Sequence, residues 1–249
     1  METKNYLSET IRELHKRKST RVFEKRAVPD DIKTAILQAA MQAPTAGNQQ
    51  LYTILDITDA ELKKKLAVSC DNQPFIADAP IVLVFCADTK KWYDAFKAVG
   101  CEPRNPRAGD LMLAVADTVA AAQNAVTAAE SVGLGSCYIG DIVERCEEHK
   151  VLLDIPKYVF PVVLLVIGWP TESQRRRNKP ERAVIEHIVH ENRYRVMDES
   201  ELRDLFGTKC GERPYEEWMR AFCERKYNSE FSREMSRSAE KYLNEYKEE

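Results

Sequence analysis

The chain has 249 residues, 44% hydrophobic and 31% charged, with a formal net charge of −3 and a pI near 6.0. That size and balance exclude a largely disordered chain and a generally basic nucleic-acid binder, and they describe a soluble globular protein able to bury a full core. Seven cysteines, Cys70, Cys86, Cys101, Cys137, Cys146, Cys210 and Cys223, form no C-x-x-C pair and have no histidine at ligand spacing, so neither a disulfide framework nor a zinc site is expected.

The segment Met1 to Glu13 is charged throughout, without the apolar stretch of a signal peptide, and the apolar runs fall short of the ~20 residues of a membrane span. The expected compartment is reducing, the cytoplasm, with no membrane or nucleic-acid partner. From about Asn5 to Lys16, Ile11 and Leu14 lie on one side among charges, a short amphipathic helix that delivers Arg17-Lys18-Ser19-Thr20-Arg21 at its end. Pro29-Asp30-Asp31 opens a second helix, with carboxylates near the positive end of its dipole and Ile32, Ala35, Ile36, Ala39 and Ala40 as its buried stripe. That helix stops by Pro44. The polar loop Thr45-Ala46-Gly47-Asn48-Gln49-Gln50 then leads to a strand from Tyr52 to Thr58.

Ile81 to Cys86 and Val162 to Ile167 are continuous apolar runs of strand length, as expected for strands covered on both faces. Between them an alanine-rich helix from Asp110 to Val132 presents small side chains that let another helix pack closely, in the core or at a subunit interface. Beyond Met197, Trp218, Met219, Phe222, Tyr227, Phe231, Met235, Tyr242 and Tyr246 recur at near-helical spacing. The expectation is a helical tail over 197–249 that packs on a partner subunit. Strands interleaved with helices give an α+β (α/β layered) fold, a central mixed sheet flanked by helices in a single domain over 1–249.

Two segments carry candidate chemistry. A second basic cluster, Arg175-Arg176-Arg177-Asn178-Lys179-Pro180-Glu181-Arg182, lies late in the chain. Arginine forks with a serine hydroxyl can grip a phosphate, but such runs are also ordinary solvated faces, and the clusters alone leave both readings open. Gly133-Leu134-Gly135 starts like a dinucleotide fingerprint, yet the third glycine would fall at Tyr138 and these glycines end a helix instead of opening one. That reading fails. Ser136 to Asp141 is a short extended piece in which Gly140 can bring backbone amides close to a flat ligand.

Taken in order, Arg17 to Arg21, Ala43-Pro44 to Gln50, Asp71-Asn72-Gln73, Gly133 to Gly140, Gly168-Trp169-Pro170, Lys179-Pro180-Glu181-Arg182 and His190-Glu191-Asn192-Arg193-Tyr194 resemble the FMN-dependent nitroreductase (flavin reductase) family. The resemblance implies a nitroreductase-like fold in an intertwined homodimer, with FMN as cofactor and NADPH or NADH as donor. It implies ping-pong hydride transfer to a small acceptor: a nitroaromatic, a quinone or a flavin. Arg17 and Ser19 would hold the phosphate with Lys179 and Arg182, and Lys18 lies within the motif. Glu181 departs from the family's Lys-Pro-Arg, so Arg177, Lys179 and Arg182 remain alternatives for that contact. Arg21 and Gln73 would meet the pyrimidine edge of the ring, and Tyr138, Ile139, Gly140 and Asp141 would flank it. Pro44, Thr45, Ala46, Asn48 and Gln50 would reach the flavin from the second subunit.

Negative charge develops at the pyrimidine edge as the ring is reduced, and a fixed guanidinium such as Arg21 stabilises it; no side-chain nucleophile is needed. The alternatives are a same-fold flavoenzyme for reductive dehalogenation or flavin cleavage, or a flavin store or sensor without turnover. His15, His149, His187 and His190 are scattered and read as structural. Cys137 admits a redox role, with a small buried residue as the simpler reading. Trp92, Tyr93 and Phe96 line a substrate mouth or lie on a surface helix.

Overall fold

The computed structural model describes residues 6–247, so the start of the first expected helix at Asn5 lies outside the described residues. Helix α1 (Glu9–Lys16) begins where the Ser8 hydroxyl accepts the amide of Ile11, and it ends at Arg17, whose φ of −51° and ψ of 131° turn the chain extended. Helix α2 (Asp30–Met41), a 3-10 turn at Ala46–Asn48 and strand β1 (Tyr52–Asp56) follow. Then come α3 (Ala60–Ser69), α4 (Phe75–Asp78), β2 (Ile81–Asp88), α5 (Lys90–Ala98) and the long α6 (Ala108–Ser131). Strand β3 (Gly135–Ile139), α7 (Cys146–Leu152), β4 (Val159–Gly168) and α8 (Glu172–Arg176) precede α9 (Glu199–Gly207), α10 (Tyr215–Lys226) and α11 (Glu230–Asn244).

The sheet has four strands in the order β1-β2-β4-β3, and every ladder is antiparallel. Among the described residues, the parallel component of the expected mixed sheet is confined to an isolated bridge between Ser19 and Ser136. Because side chains alternate along a strand, the continuous apolar runs feed two cores. Ile81, Leu83, Phe85, Leu165 and Ile167 pack with Ile36 and Ala40 of α2 and with Ala121, Ala122, Ala125 and Ala129 of α6. Val82, Val84, Cys86, Leu164 and Val166 pack on the other side with Leu66 of α3 and Ile76 of α4. By length and composition α6 could cross a membrane. Its alanines 114, 121, 122, 125 and 129 are fully buried in the protein, which makes it the core helix.

The chain clusters into two compact units, Met1–Asn178 with Met235–Glu249, and Lys179–Glu234. In the second, Asp198 and Glu201 cap α9 reciprocally, with Asp198 Oδ1 accepting the Glu201 amide at 2.9 Å and Glu201 Oε2 accepting the Asp198 amide at 3.0 Å. In the first, the last stretch of the tail packs on its own chain. Tyr242, 1% exposed, meets Phe160 edge-on at 4.9 Å between centroids, and Tyr246 joins Leu51, Leu111, Ala114 and Tyr158. Ser238 Oγ donates to the Val143 carbonyl at 2.6 Å and accepts the Cys146 amide at 2.8 Å, and Glu245 pairs with Lys150. An apolar bay beside β4 takes these rings, and each is worth roughly 1.5–3 kcal/mol of burial.

Candidate active site

Beyond Arg17 the extended chain runs beside β3, held by the Thr20 amide donating to the Ser136 carbonyl at 2.8 Å and by the Ser19–Ser136 bridge. The approach is close enough that Gly135 has no room for a side chain, since a Cβ there would stand 2.3 Å from Thr20 Oγ1. Helix α8 brings part of the second basic cluster to the first. Lys18 Nζ donates to the carbonyls of Arg175 (2.7 Å) and Arg177 (2.5 Å), and the Arg177 guanidinium donates to the Ser19 carbonyl at 2.7 Å. The Arg21 amide donates to Gln174 Oε1 at 3.1 Å. Lys18 thus spends two of its three donors as a strut joining the clusters.

Arg17 lies with its guanidinium carbon 5.9 Å from the centroid of the Tyr138 ring, and its Nε is buried without a hydrogen-bond partner. A buried donor left this way costs about 1–3 kcal/mol, and an oxyanion ligand would satisfy it. Cys137, 1% exposed, marks where the charges converge: burial pushes its thiol up, opposed by Arg21, a hydrogen bond with Ser19, Arg17 and Arg177. Positive charge acting on this strand, with Arg17, Arg177 and Ser19 nearby in the chain's fold, suits it to a phosphate. The residues fit FMN at that end.

At the other end of β3, a Cβ built on Gly140 would meet nothing within 4 Å. Its φ of −80° is open to any residue, so no turn requires a glycine here. Tyr138 is half-buried, its hydroxyl 3.3 Å from Gln123 Oε1, and burial pushes it up to about 12 against the pull of Arg17. Ile139, 2% exposed, sends its side chain into the core. Asp141 opens a 3-10 turn, Asp141–Val143.

Gln73 sits after left-handed Asp71 (φ 61°) and Asn72 (φ 51°) and donates its side-chain NH2 to the Cys70 carbonyl at 2.8 Å, leaving its amide oxygen as acceptor. Buried His149 ties this turn to the one after Gly140. Its Nδ1 is 2.7 Å from the Glu144 carbonyl and its Nε2 2.8 Å from Ser69 Oγ. A carbonyl only accepts, so Nδ1 carries the proton and Nε2 accepts from the serine. Burial lowers the His149 pKa, against the raising effect of the Glu144 hydrogen bond, so the neutral ring is the folded form. Burial likewise pushes neighbouring Cys70 up to about 12.

The polar loop is shaped by a residue absent from the sequence expectations, Asp117 of α6, which is 5% exposed. Its carboxylate accepts the Thr45 hydroxyl, the Ala46 amide at 3.2 Å and the Leu51 amide at 3.2 Å. The signal was present: an acid at 117 inside the buried stripe Ala114, Thr118, Ala121 and Ala125 has to be hydrogen-bonded. Pro44 and Asn48 are exposed, and Thr45, Ala46 and Gln50 are half-buried. Trp92, Tyr93 and Phe96 lie on a surface helix, α5, and line a cavity of about 300 Å³ with Gln49, Leu51 and Leu113.

Lys179 and Arg182 belong to the second unit. There Arg182 lines an open cavity of about 530 Å³ with Pro180, Glu181, Thr208 and Lys209. Of the remaining histidines, His15 stacks near Tyr6 at 4.9 Å, His190 accepts the Arg195 amide at 3.1 Å, and His187 lines an open cavity with His190 and Tyr194. Among the described residues no cluster of three or more His, Cys, Asp or Glu could hold a metal ion.

The profile of the nitroreductase family matches residues 14–169. The chain is 37% identical over 193 residues to an oxygen-insensitive NADPH nitroreductase of Salmonella typhimurium, covering 78% of each chain. It is 31% identical over 238 residues to an FMN reductase [NAD(P)H] of Bacillus subtilis, covering 95% of this chain and 91% of that one. Among solved structures it resembles NfrA2 of B. megaterium, with a TM-score of 0.84 and 29% identity over 98% of this chain and 100% of the other. Fold, motif order and converging arginines agree: the chain belongs to the nitroreductase family.

Proposed function

We propose that the protein is an FMN-dependent NAD(P)H oxidoreductase that passes electrons to small acceptors of the nitroaromatic, quinone or flavin class, working as a homodimer in the cytoplasm. The observation that carries this reading is the buried Nε of Arg17, which has no hydrogen-bond partner, beside a strand whose Cys137 also feels Ser19 and Arg177. Relatives named NADPH nitroreductase and FMN reductase [NAD(P)H] support it.

Bound FMN would supply the hydride chemistry, taking electrons from the nicotinamide donor and giving them to the acceptor in separate half-reactions. The chain's residues bind and tune. Arg17, Ser19 and Arg177 hold the phosphate. Lys18 fixes the geometry by bracing α8. Arg21 places a permanent positive charge where the reduced pyrimidine edge becomes negative, and Gln73 accepts from that edge. The backbone at Gly140 and Asp141 lets the ring lie close. Pro44, Thr45, Ala46, Asn48 and Gln50 cover the partner's ring and exclude water. Met112, Leu113 and Val119, exposed on α6 at 68%, 51% and 46%, offer an apolar face for the second subunit.

The test is the visible spectrum of the purified protein before and after anaerobic addition of NADPH or NADH. The proposal expects a flavin band that bleaches with at least one donor and returns on adding a quinone or nitroaromatic. A flavin band that neither donor bleaches supports a store or sensor instead.

A further inference from the structure

We propose that Asp117 is the positioning residue of the 44–50 loop, setting from within one subunit the surface presented to the flavin of the other. The proposal rests on the reading of that loop given above. Residue 117 lies on a helix of small apolar side chains, and a carboxylate buried there is tolerated only when its oxygens are occupied by donors. All three donors recorded on it come from one short stretch of chain: the Thr45 hydroxyl and the amides of Ala46 and Leu51. They bracket the loop at both ends.

The stretch between them needs such a hold. Gly47, Asn48 and Gln50 have φ of 57°, 56° and 50°, three left-handed residues within four positions, and the two that are not glycine hold conformations a free loop would not keep. Thr45 relays the grip, because the same hydroxyl that donates to Asp117 accepts the Gln50 amide at 2.7 Å. The outer side is closed by Trp92 Nε1 donating to the Gln49 carbonyl at 2.8 Å and by Gln50 Nε2 donating to the Met41 carbonyl at 3.3 Å. Asn48 and Pro44 are thereby left outward. Charge-assisted hydrogen bonds are the strong members of such a network, so the loop's shape depends on one carboxylate.

Asp117→Asn keeps the shape of the side chain but replaces one acceptor oxygen by an NH2 group that faces donors. FMN affinity by fluorescence titration should weaken about tenfold or more. The emission of Trp92, identified by its loss in Trp92→Phe, should shift as its Gln49 contact loosens. Thr45→Val should weaken FMN binding in the same direction, and the double variant should be no worse than Asp117→Asn alone, because both break one relay. Thr45→Val carries the test if Asp117→Asn does not fold. As a structural control, Thr118→Ala removes a helix-internal bond to the Ala114 carbonyl of 2.6 Å. It should lower the melting temperature and leave FMN affinity and Trp92 emission unchanged. Asp117→Asn that melts lower yet binds FMN as the wild type does, with Trp92 unshifted, overturns the proposal. A wild-type protein without affinity for FMN overturns the flavin reading instead, and the Trp92 shift then tests the brace by itself.

Discussion

Arg177 donates its guanidinium to the carbonyl of Ser19 at 2.7 Å, and its own carbonyl receives the Lys18 ammonium at 2.5 Å. The two basic clusters are thus locked by reciprocal side chain to backbone bonds before any anion arrives, and preorganised charge is worth more than charge that has to be gathered. Arg177→Ala should weaken FMN binding about tenfold while Arg176→Ala, on an exposed side chain that pairs with Glu172 at 2.7 Å, should not. Fluorescence titration of both variants reads the difference.

Gly135→Ala should destabilise the protein by about 1–3 kcal/mol, the usual cost of overpacking. Its Cβ would fall 2.3 Å from Thr20 Oγ1 and 2.8 Å from Thr20 Cβ, and that strand is buried on its other side. Relief requires the 17–21 segment to move off β3. Denaturant unfolding should therefore show the loss of stability together with weaker retention of FMN; a stable variant with normal FMN content would show that the close approach is dispensable.

Those two cases show what was legible in the sequence. The basic clusters, the strand runs and the loop could be found because charge, period and turn residues are local signals. That Lys18 would turn back to carbonyls, that Gly135 would serve Thr20, and that Asp117 would organise a loop some 70 positions earlier are facts of tertiary contact, to which spacing is blind. Asp117 left a trace as an acid inside an apolar stripe. Tyr242 and Tyr246 were ambiguous for the opposite reason, since an aromatic stripe looks the same whether its own chain or a partner covers it.

His149 makes stability depend on pH. Its folded pKa lies below the ordinary 6.5 because burial disfavours the charged ring. Between the two values the unfolded chain binds a proton that the folded chain refuses, so the stability present above about pH 6.5 is lost as pH falls below it, by up to ~1.4 kcal/mol per pH unit. Unfolding free energies on either side of pH 6.5 should show the slope in the wild type and a shallower one in His149→Gln. Equal slopes would remove His149 as the cause.

Tyr242→Ala should lower stability by about 3 kcal/mol through the cavity left against Phe160. The ring packs within its own chain, so the drop in melting temperature should be the same at high and low protein concentration. A loss that grows on dilution would place that contact between subunits.

The proposed phosphate grip rests on Arg17, Ser19 and Arg177. Its most direct test compares FMN with riboflavin, which lacks the phosphate, by titration of wild-type protein and Arg17→Ala. The account predicts that wild-type protein binds FMN at least about a hundredfold more tightly than riboflavin and that Arg17→Ala loses most of that preference. Equal affinities for the two flavins in the wild type, or an unchanged preference in Arg17→Ala, would contradict it.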